Sequence, residues 1–220
     1  MKAMILAAGR GERMRPLSDE RPKPLLSAGG KPLLQWLIES LSEHGFTELV
    51  VNTAWLGDQI ESWLGDGHRF GVQVQYSRES QGALGTGGGI HNALPLLGKQ
   101  AFLVVNGDIW TDYSFARLRK RTVTHAHLVL VDNPPQHPNG DFELTERLIG
   151  NGTKHRFTFA GIAVYHPTLF DTCSAGEFPL APLLRDAADK RNATGEHFDG
   201  QWFDVGTPQR LHQLGQHINK

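Results

Sequence analysis

The sequence has one cysteine, almost no net charge and no long apolar run, and each shortage excludes a class of protein. With a single cysteine, Cys173, the 220-residue chain cannot form an internal disulfide. Its formal charge of -1 gives no field that would attract nucleic acid or an anionic membrane. No stretch reaches the ~18 apolar residues that span a bilayer, and residues 1–10 do not resemble a secretion signal. We therefore expect a cytoplasmic protein with no nucleic-acid or membrane partner.

Three common functional motifs are also missing. No glycine-rich stretch ends in Lys followed by Ser or Thr, which disfavours P-loop ATPase chemistry. A dinucleotide-binding turn needs a small residue three positions after its second glycine, and Met14 stands there instead. The 11 histidines include no His-Glu-x-x-His pair of the kind that holds zinc. Any phosphate or metal chemistry must therefore rest on other residues.

Apolar strand patterns alternate with helical patterns along the chain. Strands are predicted at residues 2–6, 48–52, 72–77 and 101–105, and helices at 32–45, 55–64, 88–97 and 208–219. This order predicts one α/β domain over residues 1–220, with a Rossmann-like, mainly parallel mixed sheet covered by helices on both faces. Three consecutive strand patterns at 126–131, 141–149 and 156–165 predict a β-rich insert that roofs the site.

A glycine-rich turn follows the first strand, and a lysine between two prolines follows the turn. Small residues at positions 7, 8, 9 and 11 allow backbone N–H groups to approach phosphate oxygens closely. Arg15 and Lys23 add full positive charges. Pro22 and Pro24 stiffen the backbone that presents Lys23. The pattern predicts a polyphosphate site at the carboxyl end of the first strand.

Two acidic residues that are far apart in the sequence lie at the ends of predicted elements: Asp108 ends an apolar strand, and Asp204 lies just before the last helix. Asp108 follows Val-Val-Asn-Gly, and Asp204 lies in Trp-Phe-Asp-Val-Gly-Thr-Pro. Mg²⁺ takes one or two carboxylates together with phosphate oxygens and water, so two such residues suffice for a magnesium site. The alternatives are a turn aspartate after Gly107 and a helix-start signal in which Thr207 caps the last helix.

These strings together resemble the sugar 1-phosphate nucleotidyltransferases. The resemblance rests on Leu-Ala-Ala-Gly-x-Gly-x-Arg-x-x-Pro-Leu at residues 6–17, Pro-Lys-Pro at 22–24, Gly-Asp at 107–108 and Trp-x-Asp-x-Gly-Thr-Pro at 202–208. It implies the nucleotide-diphospho-sugar transferase fold and Mg²⁺ as cofactor, held by Asp108 and Asp204. It also implies that Lys23 steadies the incoming phosphate and the α-phosphate, and that Arg15 neutralises the departing pyrophosphate.

The same resemblance implies where the two substrates bind. The implied nucleotide-binding residues are Ala7, Ala8, Gly9, Gly11, Met14, Arg15, Lys23, Ala83, Gly85, Thr86 and Asn106. Within the glycine-rich segment Gln81–Gly89, Ala83, Gly85 and Thr86 would read a pyrimidine with help from Ala8. The implied sugar-binding residues are Asn106, Gly140, Asp141 and Gly161.

The chain length and the string Leu-Gly-Thr-Gly-Gly-Gly at 84–89 are most similar to the N-acetylmuramate 1-phosphate uridylyltransferases. That similarity implies UTP and N-acetyl-α-muramate 1-phosphate as substrates. We also expect a monomer or weak homodimer, and no β-helix domain after the helix that begins at Thr207-Pro208. The lactyl carboxylate of that sugar needs a basic partner, which is Arg147, Lys154, Arg156 or another residue.

Three alternatives remain open. A hexose 1-phosphate transferase, such as a mannose 1-phosphate guanylyltransferase or a glucose 1-phosphate uridylyl- or thymidylyltransferase, would share the same motifs. A nucleotide-sensing subunit without catalysis is a second reading, disfavoured because Arg15, Lys23, Asp108 and Asp204 occur together. An NAD-binding dehydrogenase domain is the third, disfavoured by Met14.

Overall fold

A nine-stranded sheet forms the centre of the molecule in this computed structural model, which describes residues 1–79 and 82–219. The strands are β1 Ala3–Leu6, β2 Ser27–Ala28, β3 Lys31–Pro32, β4 Glu48–Thr53, β5 Gln73–Arg78, β6 Phe102–Asn106, β7 Ile109–Thr111, β8 Ala126–Val131, β9 Phe142–Thr145, β10 Leu148–Gly150, β11 Arg156–Tyr165, β12 Ala193–His197 and β13 Trp202–Asp204. The main sheet has the order β5-β4-β1-β6-β11-β8-β12-β10-β9, and β13–β7 and β2–β3 form two small sheets.

Helices cover both faces of the sheet. They are α1 Leu17–Glu20, α2 Leu33–Glu43, α3 Gly57–Leu64, α4 Gly85–Leu97, α5 Ala181–Asp189 and α6 Pro208–Ile218. Successive side chains of a strand point to opposite faces. Ile5 of β1 accordingly joins one apolar cluster with α2 and α3, whereas Met4 joins the other with α4 and α5. None of the helices in the described residues is long and apolar enough to cross a membrane.

The predicted α/β fold with a mixed sheet is confirmed, and its parallel pairs lie mainly in the first half of the chain. Strands β5, β4, β1 and β6 are parallel neighbours. The β-rich segment 125–165 is present, but β8 and β11 lie inside the main sheet and do not form a separate roof. The reason is that β11 pairs antiparallel with β6 on one side and with β8 on the other, with Ile162 opposite Val105.

Helix α4 begins at Gly85, three residues before the predicted start. The glycines of its first turn belong to the helix and allow close packing. A Cβ on Gly87 would lie 2.5 Å from the Phe178 ring, and one on Gly88 would lie 2.2 Å from the carbonyl oxygen of Gly176. The first turns of the helix therefore pack directly on the 176–178 segment. Helix α5 and strand β12 were not predicted from the sequence.

A cluster of charged and polar side chains surrounds Glu196 on β12. The Tyr113 hydroxyl donates to its carboxylate at 2.7 Å, and Arg121 and Arg117 lie 2.9 and 3.1 Å from the two oxygens. His127 Nε2 is 3.3 Å from Oε2. The hydrogen bond with His127 is the largest cause that lowers the pKa of Glu196 to about 2; burial opposes it, and Tyr113 and Arg117 lower the pKa further.

We expect Glu196→Gln to lower the free energy of unfolding by about 2 kcal/mol at pH 7. A carboxylate whose folded-state pKa is depressed stabilises the protein above its unfolded value of 4.5 and loses that stabilisation as the pH falls toward 2. The difference between wild type and variant should therefore shrink below pH 4.5. Urea unfolding at pH 7, 4.5 and 3.5 measures it, with the exposed Glu43→Gln as matched control. If the difference in unfolding free energy between wild type and Glu196→Gln did not change with pH, the depressed pKa of Glu196 would not be the source of the stabilisation.

Candidate active site

A cavity of about 290 Å³ opens where β1, β4 and β6 end at their carboxyl ends. In a parallel sheet, ligands bind beyond this edge. Its lining comes from the glycine-rich turn, the lysine segment, three strand ends and the start of α4: Leu6, Ala7, Ala8, Gly9, Gly11, Lys23, Pro24, Asn52, Glu79, Ala83, Gly85, Thr86, Asn106, Gly107 and Asp108. Nine of the eleven predicted nucleotide-binding residues thus line one space, and Met14 and Arg15 do not. Gln81, the first residue of the predicted glycine-rich segment, lies outside the described residues.

Met14 anchors the glycine-rich turn to the core of the protein. Gly11 has a φ of 68°, and its carbonyl accepts hydrogen bonds from the Met14 N–H and the Ser18 hydroxyl, both at 2.8 Å. The Met14 side chain is fully buried and does not line the cavity. Its position therefore indicates that it anchors the turn in the core and does not contact a nucleotide through its side chain.

Lys23 and Asp108 form an ion pair in the wall of the cavity. Lys23 is 8% exposed, and its ammonium group contacts Asp108 Oδ2. Gly107 brings Asp108 against β1, because its N–H donates to the Leu6 carbonyl at 2.9 Å and a Cβ there would lie 2.6 Å from the same oxygen. A buried ammonium group beside a carboxylate is suited to bind phosphate oxygens with its remaining N–H donors.

Asp204 lies on the strand next to Asp108 but does not line the cavity. In the β13–β7 pair Asp204 is opposite Ile109, and the Val205 N–H donates to the Asp108 carbonyl at 2.9 Å. Arg210 contacts Asp204 Oδ2 and donates to its carbonyl oxygen at 2.9 Å. The sheet pairing therefore brings two carboxylate-bearing residues, distant in sequence, to adjacent positions.

Arg13 and Arg15, on either side of Met14, point in different directions. The Arg15 side chain is 52% exposed, and its guanidinium lies 2.8 Å from Asp19 and 3.7 Å from Glu12. Arg13 lies on the Asp204 side, since a Cβ on Gly206 would come 3.1 Å from Arg13 Nη2. Neither side chain lines the cavity. The geometry therefore does not support the predicted position of Arg15 beside the phosphates.

A second cavity of about 570 Å³ adjoins the first and shares Gly85, Thr86 and Asn106 with it. Its other lining residues come from β9, β11 and α5 with the segment before it: Asp141, Phe142, Phe159, Glu177, Phe178, Pro179, Leu180, Ala181, Leu184 and Arg185. Of the predicted sugar residues, Asn106 and Asp141 line this cavity. Gly140 and Gly161 lie behind the wall, and a Cβ on Gly161 would come 2.5 Å from Asn106 Nδ2.

Arg185 provides a basic group in the second cavity. Its guanidinium carbon is 5.2 Å from the centre of the Phe142 ring, and no ion pair among the described residues involves it. The three basic residues considered from the sequence, Arg147, Lys154 and Arg156, do not line this cavity. Sequence reasoning missed Arg185 because it did not predict α5; the repeated apolar spacing of Leu184, Ala187 and Ala188 is the signal that was available.

Two further polar residues of the first cavity were also missed. Asn52 Oδ1 accepts from the Ala7 N–H at 2.7 Å, and Asn52 Nδ2 donates to Glu79 Oε1 at 2.6 Å. Glu79 Oε2 in turn accepts from the Leu84 N–H at 2.7 Å. Both residues lie at or just beyond the carboxyl end of a parallel strand, the position where functional side chains are expected.

Comparison with known proteins agrees with this geometry. Residues 2–148 match a family model described as nucleotidyl transferase. The chain is 51% identical to N-acetylmuramate alpha-1-phosphate uridylyltransferase of Neisseria meningitidis, over 96% of this chain and 95% of that protein. It is 31% identical to the protein of the same name from Caulobacter vibrioides, over 94% and 92%. It is also 30% identical to mannose-1-phosphate guanyltransferase of Aspergillus oryzae, over 95% of this chain and 62% of that protein.

Solved structures show the same fold. A crystal structure of a putative glucose-1-phosphate thymidylyltransferase from Bacillus anthracis matches with a TM-score of 0.87 at 22% identity, covering 100% of this chain and 96% of that chain. HddC from Yersinia pseudotuberculosis matches with a TM-score of 0.79 at 20% identity, covering 99% of each chain. With a family model over residues 2–148 and relatives along nearly its whole length, the chain belongs to the nucleotidyl transferase family of enzymes.

Proposed function

We propose that the protein transfers UMP from UTP to N-acetyl-α-muramate 1-phosphate, giving UDP-N-acetylmuramate and pyrophosphate, in cytoplasmic recycling of peptidoglycan. The observation that carries the proposal is the pair of joined cavities. One has a phosphate turn with Lys23 and Asp108, and the other has Arg185 beside an apolar wall. The similarity to the Neisseria and Caulobacter uridylyltransferases supports the choice of substrates.

The chemistry needs positioned charge more than it needs a base. An oxygen of the sugar 1-phosphate forms a bond to the α-phosphorus of UTP, and the bond from that phosphorus to the α,β-bridging oxygen breaks, so that pyrophosphate leaves. A phosphate dianion is already a nucleophile, so in-line positioning and neutralisation of charge supply the catalysis. Lys23, rigid between Pro22 and Pro24, contacts the α-phosphate and the incoming phosphate.

Asp108 and Asp204 are suited to hold Mg²⁺ together with the phosphates. Asp204 ends β13, and Asp108 lies in the turn before β7, the strand that pairs with β13; each carboxylate uses one oxygen for a basic side chain and keeps the other. Among the described residues no group of three or more metal-ligating side chains occurs. Since Mg²⁺ takes one or two carboxylates plus substrate phosphates, these two residues suffice. When bound, the ion would neutralise negative charge on the phosphates.

The second cavity fits a sugar that carries a carboxylate. Asp141 accepts from the Phe159 N–H at 2.8 Å and lies 3.1 Å from His137 Nε2, so both its oxygens have partners. Arg185 offers N–H donors in a fork that matches a carboxylate. We assign Arg185 to the lactyl carboxylate, because it is the basic side chain that lines this cavity.

The proposal predicts one preferred substrate pair. Pyrophosphate release with Mg²⁺ is measured while UTP, dTTP, GTP and CTP are crossed with the 1-phosphates of N-acetylmuramate, N-acetylglucosamine, glucose and mannose. Release should be fastest with UTP and N-acetylmuramate 1-phosphate, and chelation of Mg²⁺ should abolish it. A preference for GTP with mannose 1-phosphate would contradict the substrate assignment, and nucleotide binding without release from any pair would contradict transfer.

Arg13 and Arg15 should differ in their effect on turnover. We assign the neutralisation of pyrophosphate to Arg13, because its guanidinium lies on the Asp204 side whereas that of Arg15 pairs with Asp19 at the surface. Loss of a charge that stabilises the transition state costs about 10² in kcat, so Arg13→Ala should reach that loss. Arg15→Ala, the matched control, should change kcat by less than about threefold. The reverse order would restore the role to Arg15.

Arg185→Ala should raise the KM for N-acetylmuramate 1-phosphate by about 10- to 100-fold, since hydrogen bonds to a charged group are lost. N-acetylglucosamine 1-phosphate has no lactyl carboxylate, so its KM should not change. Steady-state kinetics with saturating UTP measures both values, and the exposed Arg147→Ala is the control. An equal loss for both sugars would mean that Arg185 only packs against Phe142.

A further inference from the structure

A chain of hydrogen bonds connects the phosphate turn with the segment that opens α4. It runs from the Ala7 N–H to Asn52 Oδ1, from Asn52 Nδ2 to Glu79 Oε1, and from the Leu84 N–H to Glu79 Oε2, with lengths of 2.7, 2.6 and 2.7 Å. It thereby joins β1, β4, the end of β5 and α4. Both carboxylate oxygens of Glu79 accept a hydrogen bond in this series, one from Asn52 and one from the Leu84 N–H.

The direction of every hydrogen bond in this chain is fixed. A backbone N–H can only donate, so Asn52 must present its oxygen to Ala7 and its NH₂ group to Glu79. A carboxylate can only accept, which suits Glu79 between the Asn52 amide and the Leu84 N–H. Asn52 is 3% and Glu79 6% exposed, so a broken hydrogen bond would leave a buried polar group without a partner.

Helix α4 packs closely against Asn52 and Glu79 at Gly89, where there is no room for a side chain. A Cβ on Gly89 would lie 2.7 Å from Glu79 Oε1 and 3.0 Å from Asn52 Nδ2. Any other residue at position 89 would push α4 away from the pair. Asn52 and Glu79 also line the first cavity between the phosphate turn and the residues Ala83, Gly85 and Thr86.

We propose that Asn52 and Glu79 are positioning residues that set the spacing between the triphosphate-binding turn and the base-binding start of α4. A nucleoside triphosphate must reach both at once, so a change in this spacing weakens nucleotide binding more than sugar binding. The proposal rests on the proposed function for the identity of the nucleotide, UTP.

Reversal of polarity provides the test. Asn52→Asp places two carboxylates together, and Glu79→Gln places an NH₂ group against a donor, so each single variant breaks the chain. The double variant Asn52→Asp with Glu79→Gln re-forms all three hydrogen bonds: Ala7 N–H to the aspartate, the glutamine NH₂ to the aspartate, and Leu84 N–H to the glutamine oxygen. It also keeps the number of carboxylates constant.

We expect each single variant to raise the Kd and KM for UTP by about tenfold or more, and the double variant to return within about threefold of wild type. The KM for the sugar 1-phosphate should change less than the KM for UTP. Calorimetric UTP binding gives a readout that does not depend on turnover. Asn92→Asp is the matched control: Asn92 lies on α4 and donates to Ser77 Oγ at 3.0 Å, but does not line the cavity.

The proposal is overturned if the double variant binds UTP as weakly as the single variants, or if the single variants lose thermal stability with unchanged UTP affinity. If the single variants do not fold, the double variant decides, because it must fold and bind UTP as wild type does. Failure of the proposed function would appear differently, as a wild-type preference for another nucleotide. The same variants would then be compared with that nucleotide.

Discussion

The parallel pairing of β1 between β4 and β6 is the constraint on which the site depends. Its register places Leu6 opposite Asn52 on one side and opposite Asn106 on the other. Three segments that are about 50 residues apart in the chain therefore end at one edge of the sheet. The phosphate turn, the Asn52–Glu79 pair and the Asn106–Asp108 segment all begin where this pairing stops. Each gains its position from backbone hydrogen bonds that carry no sequence specificity.

Glycines then allow backbone and side chains to approach more closely than any other residue would permit. Gly107 lies against the Leu6 carbonyl, Gly161 against the Asn106 amide, and Gly89 against Glu79. In each case the neighbour of the glycine belongs to the site or directly supports it. Asn106 lines both cavities, and Gly161 lies against it within the stretch of β11, between Phe159 and Ala163, where the register with β8 shifts. The glycine content thus reflects close packing around the site as well as flexible turns.

The sequence allowed most of the fold and much of the candidate site to be predicted, because those features depend on local patterns. Strands β1, β4 and β6 are short apolar runs, and the residues around Gly9 and Lys23 form a long motif. Helix α5 has a readable apolar spacing at Leu184, Ala187 and Ala188, which we did not use to predict it. Its place, and that of Arg185, depends on packing against β10 and β12, which no local pattern encodes.

The direction in which a side chain points was the second feature of the site that could not be predicted from the sequence. Arg13 and Arg15 are two residues apart in the same turn, and charge alone does not distinguish them. The buried side chain of Met14 lies between them in the sequence and orients the backbone, so that the Arg13 and Arg15 side chains point in different directions. Asn52 and Glu79 look like ordinary strand-end residues in the sequence. Only the pairing of β4 with β1 and β5 shows that one amide and one carboxylate can link two loops.

Charge pairing explains how the site stays folded without substrate. The β13–β7 pairing brings Asp204 close to Asp108 along the backbone, because the Val205 N–H donates to the Asp108 carbonyl. Lys23 contacts Asp108 and Arg210 contacts Asp204, so each negative charge has a positive partner. An ammonium group has three N–H donors, and contact with Asp108 occupies one of them. Lys23 can therefore bind phosphate oxygens without leaving Asp108, so the buried ammonium group keeps a negative partner during each turnover.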